Sequence, residues 1–231
     1  MKDGASNMEH SVDAIPAYNG IYNRYIKRIL DFCIASAALL VLWPFYLIIA
    51  VLIALEDGFP VLYRAERGGY QGETFRICKF RTMVKNADKI GGGTTSFRDP
   101  RITRIGNFLR KTKMDEIPQF GQVLLGKMSL VGPRPELLQY VSQYQGEELD
   151  ILKVRPGITD YSSVEFVNLD EIVGTENADD MYEKLVLKRK NALRVKYAHT
   201  VSFRTDIYIL YRTAAVVLDK IFGFVFRREH R

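Results

Sequence analysis

Two adjacent carboxylates, Asp115 and Glu116, are the residues of this chain best suited to chemistry. A basic stretch that includes Arg110 precedes them, and Arg134 follows between two prolines in the sequence Gly-Pro-Arg-Pro. Proline fixes its own φ and restricts the residue before it. Arg134 is therefore held from both sides and presents its guanidinium to an oxyanion at a reduced entropy cost. Arg155 precedes a proline in the same way.

The acid pair also has a purely structural interpretation. Asp115 and Glu116 stand just before Ile117-Pro118 and an apolar-periodic run. Proline is tolerated in the first turn of a helix, which would make Asp115 an N-cap and Glu116 a first-turn acid favoured by the helix dipole. The two interpretations are compatible, because a helix N-terminus also attracts anions.

The positive charge of the chain is concentrated near these carboxylates. The 231 residues carry a formal net charge of +6, and residues 98–113 hold six Lys and Arg side chains against Asp99. Such local basicity indicates an anion site rather than a generally cationic protein. Lys79 and Arg81 flank Phe80 on a predicted strand, so alternation puts them on one face. That face either contacts phosphate or is simply solvated.

The segment 32–55 has 24 residues and no charge, whereas a membrane span needs about 20 apolar residues. Pro44 interrupts it, and proline kinks or breaks a helix. Basic residues flank both ends, as expected if both ends face the cytoplasm. We therefore predict a re-entrant membrane helix at 21–57 with a break at Pro44. A kinked single span is the alternative.

The rest of the chain predicts an α+β fold, mostly helical with a small β-hairpin at 60–81. A disordered tail is expected at 1–20, a compact catalytic domain at 58–205, and an amphipathic, membrane-associated helix at 206–231. Apolar residues at helical spacing within 99–111 predict an amphipathic helix with a basic face. Two cysteines and three scattered histidines exclude a disulfide framework and a zinc-type cluster.

Five sequence blocks resemble, in order, the bacterial sugar transferases, specifically the small monotopic phosphoglycosyl transferases. The blocks are KFRTM (79–83), DPRITRIGNFLRK (99–111), DEIPQ (115–119), GKMSLVGPRPE (126–136) and RPGIT (155–159). The resemblance implies transfer of a sugar 1-phosphate from a UDP-sugar to polyprenyl (undecaprenyl) phosphate, with release of UMP. This is the first membrane step of bacterial glycoconjugate assembly.

The resemblance also implies roles for individual residues. Asp115 resembles the catalytic nucleophile, which would form a covalent aspartyl-phosphosugar, and Glu116 its partner at Mg²⁺. The implied substrate contacts are Lys79, Arg81, Arg110, Arg134 and Arg155. Two positions depart from the family pattern: Trp43 precedes Pro44 where serine is frequent, and Asp160 follows the RPGIT block.

The expected partners are the UDP-sugar donor, the polyprenyl phosphate acceptor and membrane lipid, with no nucleic acid. The expected location is the cytoplasmic face of the bacterial inner membrane. Whether the chain forms a homodimer, and which sugar it takes, are left open. Two alternatives remain at this point. One is a non-catalytic, membrane-anchored scaffold whose basic helix binds anionic lipid or nucleic acid, and the other is a phosphohydrolase that cleaves UDP-sugar with water.

Overall fold

The computed structural model describes residues 16–87, 99–166 and 178–226 of the chain. Within these ranges the fold is α+β, mostly helical with two small two-stranded sheets, which confirms the predicted fold class. Several sequence predictions lie outside the described residues. They concern the beginning of the tail, Arg98 in the basic stretch, and the last residues of the C-terminal helix, 227–231.

The predicted disordered tail, residues 1–20, is too long at its C-terminal end. A 3-10 turn forms at Ala17–Asn19. The Tyr18 side chain packs against the main core, and its hydroxyl accepts a hydrogen bond from Lys153 (3.3 Å). The packing of the Tyr18 ring holds the segment in place. The polar composition of residues 1–20 gave no sign of this contact.

One long apolar helix, α1, spans Lys27–Asp57 and follows a single π-helical turn at Tyr22–Ile26. Of the described helices, this stretch is the one long and apolar enough to cross a membrane, judged by length and composition only. The helix continues through Pro44, so the structure has one helix where the sequence predicted two halves. Proline removes only one backbone donor, and the turns on either side remain helical.

α1 has one face that packs on the rest of the chain and one face that does not. The buried positions are Lys27, Asp31, Ala35, Ile49 and Ile53. They are separated by multiples of about one helical turn, as expected for a single packed stripe. The opposite side exposes large apolar residues that include Leu40, Val41, Trp43, Leu47 and Leu55. Exposed apolar faces of this extent mark protein or membrane contacts.

The predicted β-hairpin is confirmed. Strand β1 (Leu62–Gly68) pairs antiparallel with β2 (Thr74–Phe80), and Leu62 lies opposite Phe80. A 3-10 turn at Tyr70–Gly72 joins the strands, and Gly72 has a φ of 82°, in the left-handed region that favours glycine.

The basic helix is shorter than predicted. Helix α2 spans Arg104–Thr112, and its N-cap Thr103 accepts a hydrogen bond from the Gly106 N–H. Asp99 lies before the helix, where it forms an ion pair with Arg101 (2.7 Å). Residues 99–103 therefore lie outside the helix.

Two short elements follow α2. A 3-10 turn at Met114–Glu116 leads to helix α3, Gln119–Leu124. Strand β3 (Ser129–Val131) then pairs parallel with β4 (Gly157–Thr159).

The glycines beside these strands allow two backbones to meet. A Cβ atom on Gly132 would lie 2.2 Å from the Arg155 carbonyl oxygen, and one on Gly157 would lie 2.1 Å from the Gly132 nitrogen. The Gly-Pro-Arg-Pro and Arg-Pro-Gly segments therefore dock against each other through glycine.

The remaining elements enclose the core. They are α4 (Leu138–Val141), a 3-10 helix (Gly146–Lys153), α5 (Tyr161–Glu165), α6 (Ala178–Met181), a π-helical turn (Tyr182–Leu187), α7 (Lys188–Thr200) and α8 (Phe203–Phe226). α8 begins three residues earlier than predicted and has exposed apolar residues such as Ile207, Tyr211 and Leu218.

Two apolar clusters flank the 3-10 turn that carries the acid pair. The larger one joins the start of α1 to α3, β3, α7 and α8, with Ala35, Val123, Val131, Tyr197 and Ile209 among its buried members. The smaller one packs the end of α1 on β2 and α2 through Ile49, Ile53, Phe80, Leu109 and Ile117.

Candidate active site

The acid pair lies in a 3-10 turn and does not cap a helix. Lys113 ends α2 with a φ of 60° and turns the chain into the segment that contains Asp115 and Glu116. Helix α3 begins only at Gln119, and its N-cap is Pro118 with no side-chain hydrogen bond. The capping interpretation is therefore wrong. Both acids are buried, with 8% and 9% of their surface exposed.

Two cations hold Glu116 in place. Lys79 donates a hydrogen bond to its Oε1 (2.8 Å), and Arg134 donates from Nη1 to its Oε2 (3.0 Å) and from Nη2 to its Oε1. Burial alone would raise the pKa of Glu116, but the charges of Arg134 and Lys79 hold this pKa well below its usual value. Glu116 is therefore a fixed anion.

Asp115 differs from Glu116 both in its hydrogen bonding and in the direction of its pKa shift. Its Oδ1 is buried and accepts no hydrogen bond from any group in the described part of the chain. Burial raises the pKa of Asp115, and the charges of Lys79, Lys113 and Arg110 offset only part of that effect. A buried acceptor without a donor is costly, so this oxygen is available to an incoming ligand or electrophile.

Asp160 positions the backbone of Arg134. Its carboxylate is fully buried and accepts hydrogen bonds from the Arg134 N–H (3.1 Å), the Ser163 N–H (2.7 Å) and the Ser162 hydroxyl (2.8 Å). The Arg134 guanidinium also donates to the Ile158 carbonyl (3.1 Å). The sequence reasoning missed this role of Asp160, although aspartate is one of the residues preferred at a helix N-cap.

A cavity of about 1780 Å³ lies over the acid pair. Lys79, Arg110 and Arg134 line it together with Asp115 and Glu116, so the structure brings five of the predicted site residues to one place. Apolar side chains of α1 and α8, such as Leu42, Val216 and Val217, line another part of the wall. The cavity can therefore accept a molecule that is anionic at one point and apolar at another.

Arg81 and Arg155 are placed differently. Arg81 lines the cavity, but its Nη2 donates to the carbonyls of Asp57 (3.0 Å) and Gly58 (2.6 Å), so it fastens the end of α1. Arg155 does not line the cavity. Its guanidinium lies 4.9 Å from the centre of the Tyr70 ring and donates to the Gly126 carbonyl (3.2 Å).

The chemistry of the acid pair fits magnesium. No cluster of three or more His, Cys, Asp or Glu side chains occurs within the described ranges. Mg²⁺ commonly takes only one or two carboxylates and completes its shell with water and substrate phosphates. The carboxylate of Asp115 suits such a ligand set, whereas both oxygens of Glu116 already accept hydrogen bonds.

A family model described as "Bacterial sugar transferase" matches residues 22–220. The chain belongs to the bacterial sugar transferase family. The match extends past the five blocks of the resemblance and includes α7 and most of α8 of this sugar transferase.

Several curated proteins are similar to this sugar transferase. One is the UDP-glucose:undecaprenyl-phosphate glucose-1-phosphate transferase of Escherichia coli (strain K12), 36% identical over 88% of the present chain but only 43% of its own length. Another is a putative undecaprenyl-phosphate N-acetylgalactosaminyl 1-phosphate transferase of Bacillus subtilis (strain 168), 41% identical over 53% of the chain and 68% of its own length. The exopolysaccharide production protein ExoY of Sinorhizobium fredii is 32% identical over 83% of the chain and 84% of its own length.

Proposed function

We propose that this protein transfers a sugar 1-phosphate from a UDP-sugar to polyprenyl phosphate and releases UMP. The observation that carries the proposal is the asymmetric acid pair. Glu116 is fixed by Lys79 and Arg134, while Asp115 has a buried, unengaged carboxylate oxygen in a cavity lined by cations. The names of the relatives, which specify undecaprenyl phosphate and sugar phosphates, support the same reaction.

In the first step, Oδ1 of Asp115 attacks the phosphorus that carries the sugar. The bond from that phosphorus to the bridging oxygen breaks, and UMP leaves with the electron pair. The product is a covalent aspartyl-phosphosugar, and such a two-step route gives ping-pong kinetics. Arg110 is suited to the substrate phosphate, because it lines the cavity and its side chain forms no ion pair or hydrogen bond with another described residue.

In the second step, an oxygen of the polyprenyl phosphate attacks the same phosphorus. The bond to Asp115 breaks, and the carboxylate is restored. Lys79, Lys113 and Arg110 favour the ionised form of Asp115 that both steps require. Mg²⁺ held at Asp115, with Glu116 beside it, would supply positive charge to the phosphate oxygens.

We propose further that α1 enters the membrane from the cytoplasmic side without crossing it. Arg28 near its start donates to the carbonyls of Val123 and Leu124 (2.6 and 2.7 Å). Glu56 near its end accepts hydrogen bonds from the N–H groups of Arg104 and Ile105 (2.8 and 3.0 Å). Both ends of the helix are thus bound to the same domain.

The length of α1 between its buried positions supports this monotopic arrangement. Ala35 and Ile49 are both buried against the domain. The helix between them is about 20 Å long at 1.5 Å per residue, which is less than the roughly 30 Å of a hydrocarbon core. A helix held in this way would keep the cavity at the depth of a lipid phosphate.

The test is UMP release from a panel of UDP-sugars by purified protein in detergent, with Mg²⁺ and with or without polyprenyl phosphate. Asp115→Asn should lower the lipid-dependent rate by about 10³-fold or more and abolish a sugar-phosphate adduct in the intact mass. Asp150→Asn is the matched control, because Asp150 pairs with Lys153 and His199 and does not line the cavity. Wild-type turnover by Asp115→Asn would refute the mechanism. The covalent mechanism allows one equivalent of UMP per enzyme without lipid, so repeated UMP release without lipid would indicate a hydrolase.

A further inference from the structure

A second group of cations lines the same cavity, and Lys190 on α7 is its most buried lysine. Only 7% of its surface is exposed. Its Nζ makes one long contact with the Tyr182 hydroxyl (3.5 Å) and lies over the rings of Tyr182 and Phe166 (4.8 and 5.8 Å). Within the described residues, no carboxylate forms an ion pair with it. Burial lowers the pKa of Lys190 to about 8.

Arg67 at the end of β1 is the second member of this group. It lines the cavity, and its guanidinium donates one hydrogen bond, to the Glu66 carbonyl (2.8 Å). It too has no carboxylate partner in the part of the chain that the structure describes. Burial lowers the pKa of Arg67. Both cations lie beside Glu136. The N–H of Gly68, the residue after Arg67, donates to the Glu136 carbonyl (3.1 Å), and the Tyr182 hydroxyl that contacts Lys190 donates to the Glu136 side chain.

The nearby carboxylate, Glu136, is already engaged. It accepts hydrogen bonds from Arg194 Nη2 (2.9 Å), from the Tyr182 hydroxyl and from the Leu137 N–H (3.1 Å). Arg194 is itself almost fully buried and forms the ion pair with Glu136, so neither Lys190 nor Arg67 has a carboxylate ion-pair partner of its own among the described residues. Arg67 is half-buried and Lys190 is buried. A buried charge without an ion-pair partner is costly, and such charges are found where a ligand or metal pairs with them.

We propose that Arg67 and Lys190 bind a phosphate group of the substrate, in a subsite distinct from the one at Lys79, Glu116 and Arg134. The proposal rests on the transferase function, in which the donor carries two phosphates and the acceptor carries one. A phosphate here belongs either to the nucleotide or to the lipid. In the first case the subsite stabilises the charge that develops on UMP as its bond to phosphorus breaks.

The experiment compares Lys190→Met and Arg67→Gln with the wild type. Lys188→Met is the control for α7, since Lys188 is exposed on the same helix. Arg76→Gln is the control for the hairpin, since Arg76 pairs with Glu66 on the surface. Calorimetric titration with UDP and with pyrophosphate measures anion binding without any turnover. The rate at which polyprenyl phosphate removes the sugar phosphate from Asp115 measures the reaction of the lipid acceptor.

If the nucleotide phosphate binds here, each test variant should bind UDP at least tenfold more weakly, and both controls should stay within twofold of the wild type. The affinity of the double variant for UDP should fall by less than the product of the two single-variant factors, because the two side chains would contact the same phosphate. If the lipid phosphate binds here, UDP affinity should persist while adduct discharge slows at least tenfold.

Unchanged UDP binding together with unchanged discharge in both variants would overturn the subsite. Thermal unfolding without ligand shows whether the variants are folded. Because neither Lys190 nor Arg67 has a carboxylate partner among the described residues, their replacement should not lower Tm. Lys190→Arg, which keeps the charge, should retain most of the affinity. Failure of the transferase function itself would be seen separately, as the absence of UMP release from every donor despite normal pyrophosphate binding.

Discussion

The N-terminal end of α1 is fastened to the domain through Asp206, and this contact can be tested directly. Asp206 is 5% exposed. Its Oδ2 accepts hydrogen bonds from Lys27 and from the Tyr22 hydroxyl (2.7 Å), and its Oδ1 accepts one from the Tyr197 hydroxyl (2.7 Å). One carboxylate therefore joins the start of α1 to α7 and α8. The perturbation is Asp206→Asn, which keeps the shape of the side chain and removes its charge.

The expected loss of stability follows from the burial of both partners. Lys27 is also 5% exposed, so Asp206→Asn leaves a buried ammonium with a neutral amide. Removing one partner of a buried ion pair costs about 3–5 kcal/mol. For a chain of this size, each kcal/mol shifts Tm by roughly 2–4 °C. We therefore expect Tm to fall by about 6–20 °C.

The assay is differential scanning fluorimetry of the protein in detergent. Glu66→Gln is the matched control, because the Glu66–Arg76 pair (3.3 Å) is more than half exposed on both sides and such pairs contribute little. Lys27→Met should lower Tm by a similar amount. The double variant should show a fall in Tm clearly smaller than the sum of the two single falls. A Tm for Asp206→Asn equal to that of the control, or additive single losses, would refute the reasoning.

Three further outcomes are expected. Gly106→Ala should lower Tm sharply, because its Cβ would lie 2.0 Å from the Thr82 carbonyl oxygen, whereas Gly121→Ala has nothing within 4 Å and should leave Tm equal or higher. Arg134→Lys should lower the rate of UMP release at least tenfold with little change in Tm, because lysine cannot make the two-pronged contact with Glu116. In an Asp115→Asn background, UDP-sugar binding should weaken between pH 7 and pH 9, since Lys190, with a pKa of about 8, is charged below that pH and neutral above it. Arg134, Glu136, Asp160 and Arg194 are the other charged groups around Lys190. The pKa of Glu136 is lowered by the charge of Arg194, and the nearby carboxylates raise the pKa values of both arginines, so these three groups should keep their charge over this range. Binding to Lys190→Arg should be independent of pH, and an equal pH dependence in that variant would contradict the assignment.

Local sequence patterns predicted the elements whose signals are local. The hairpin follows from alternation and a glycine-rich turn, and α1 follows from its long uncharged run. The failures have nonlocal causes. Pro118 was expected inside the first helical turn, but it is the N-cap of α3, because Lys113 ends α2 and a 3-10 turn intervenes. That turn is what leaves Asp115 free of capping contacts.

The structure brings several of the predicted site residues together around the acid pair and places others elsewhere. Arg155 was expected to present its guanidinium to an anion, but its Arg-Pro-Gly segment serves the close approach of Gly157 to Gly132. Arg81 lies just past the end of β2, so strand alternation did not govern its direction, and it contacts the end of α1 instead. No spacing rule could have found contacts as distant in sequence as Glu136 with Arg194.

The order of elements along the chain connects the end of the apolar helix α1 to the turn that carries Asp115. Glu56 at the end of α1 satisfies two N–H groups in the first turn of α2, which have no partner within the helix. Helix α2 then carries Arg110 and ends at Lys113, directly before the turn with Asp115. Any shift of the end of α1 must therefore move α2 or break its N-terminal contacts. The positions of the end of α1 and of Asp115 are thus linked through α2.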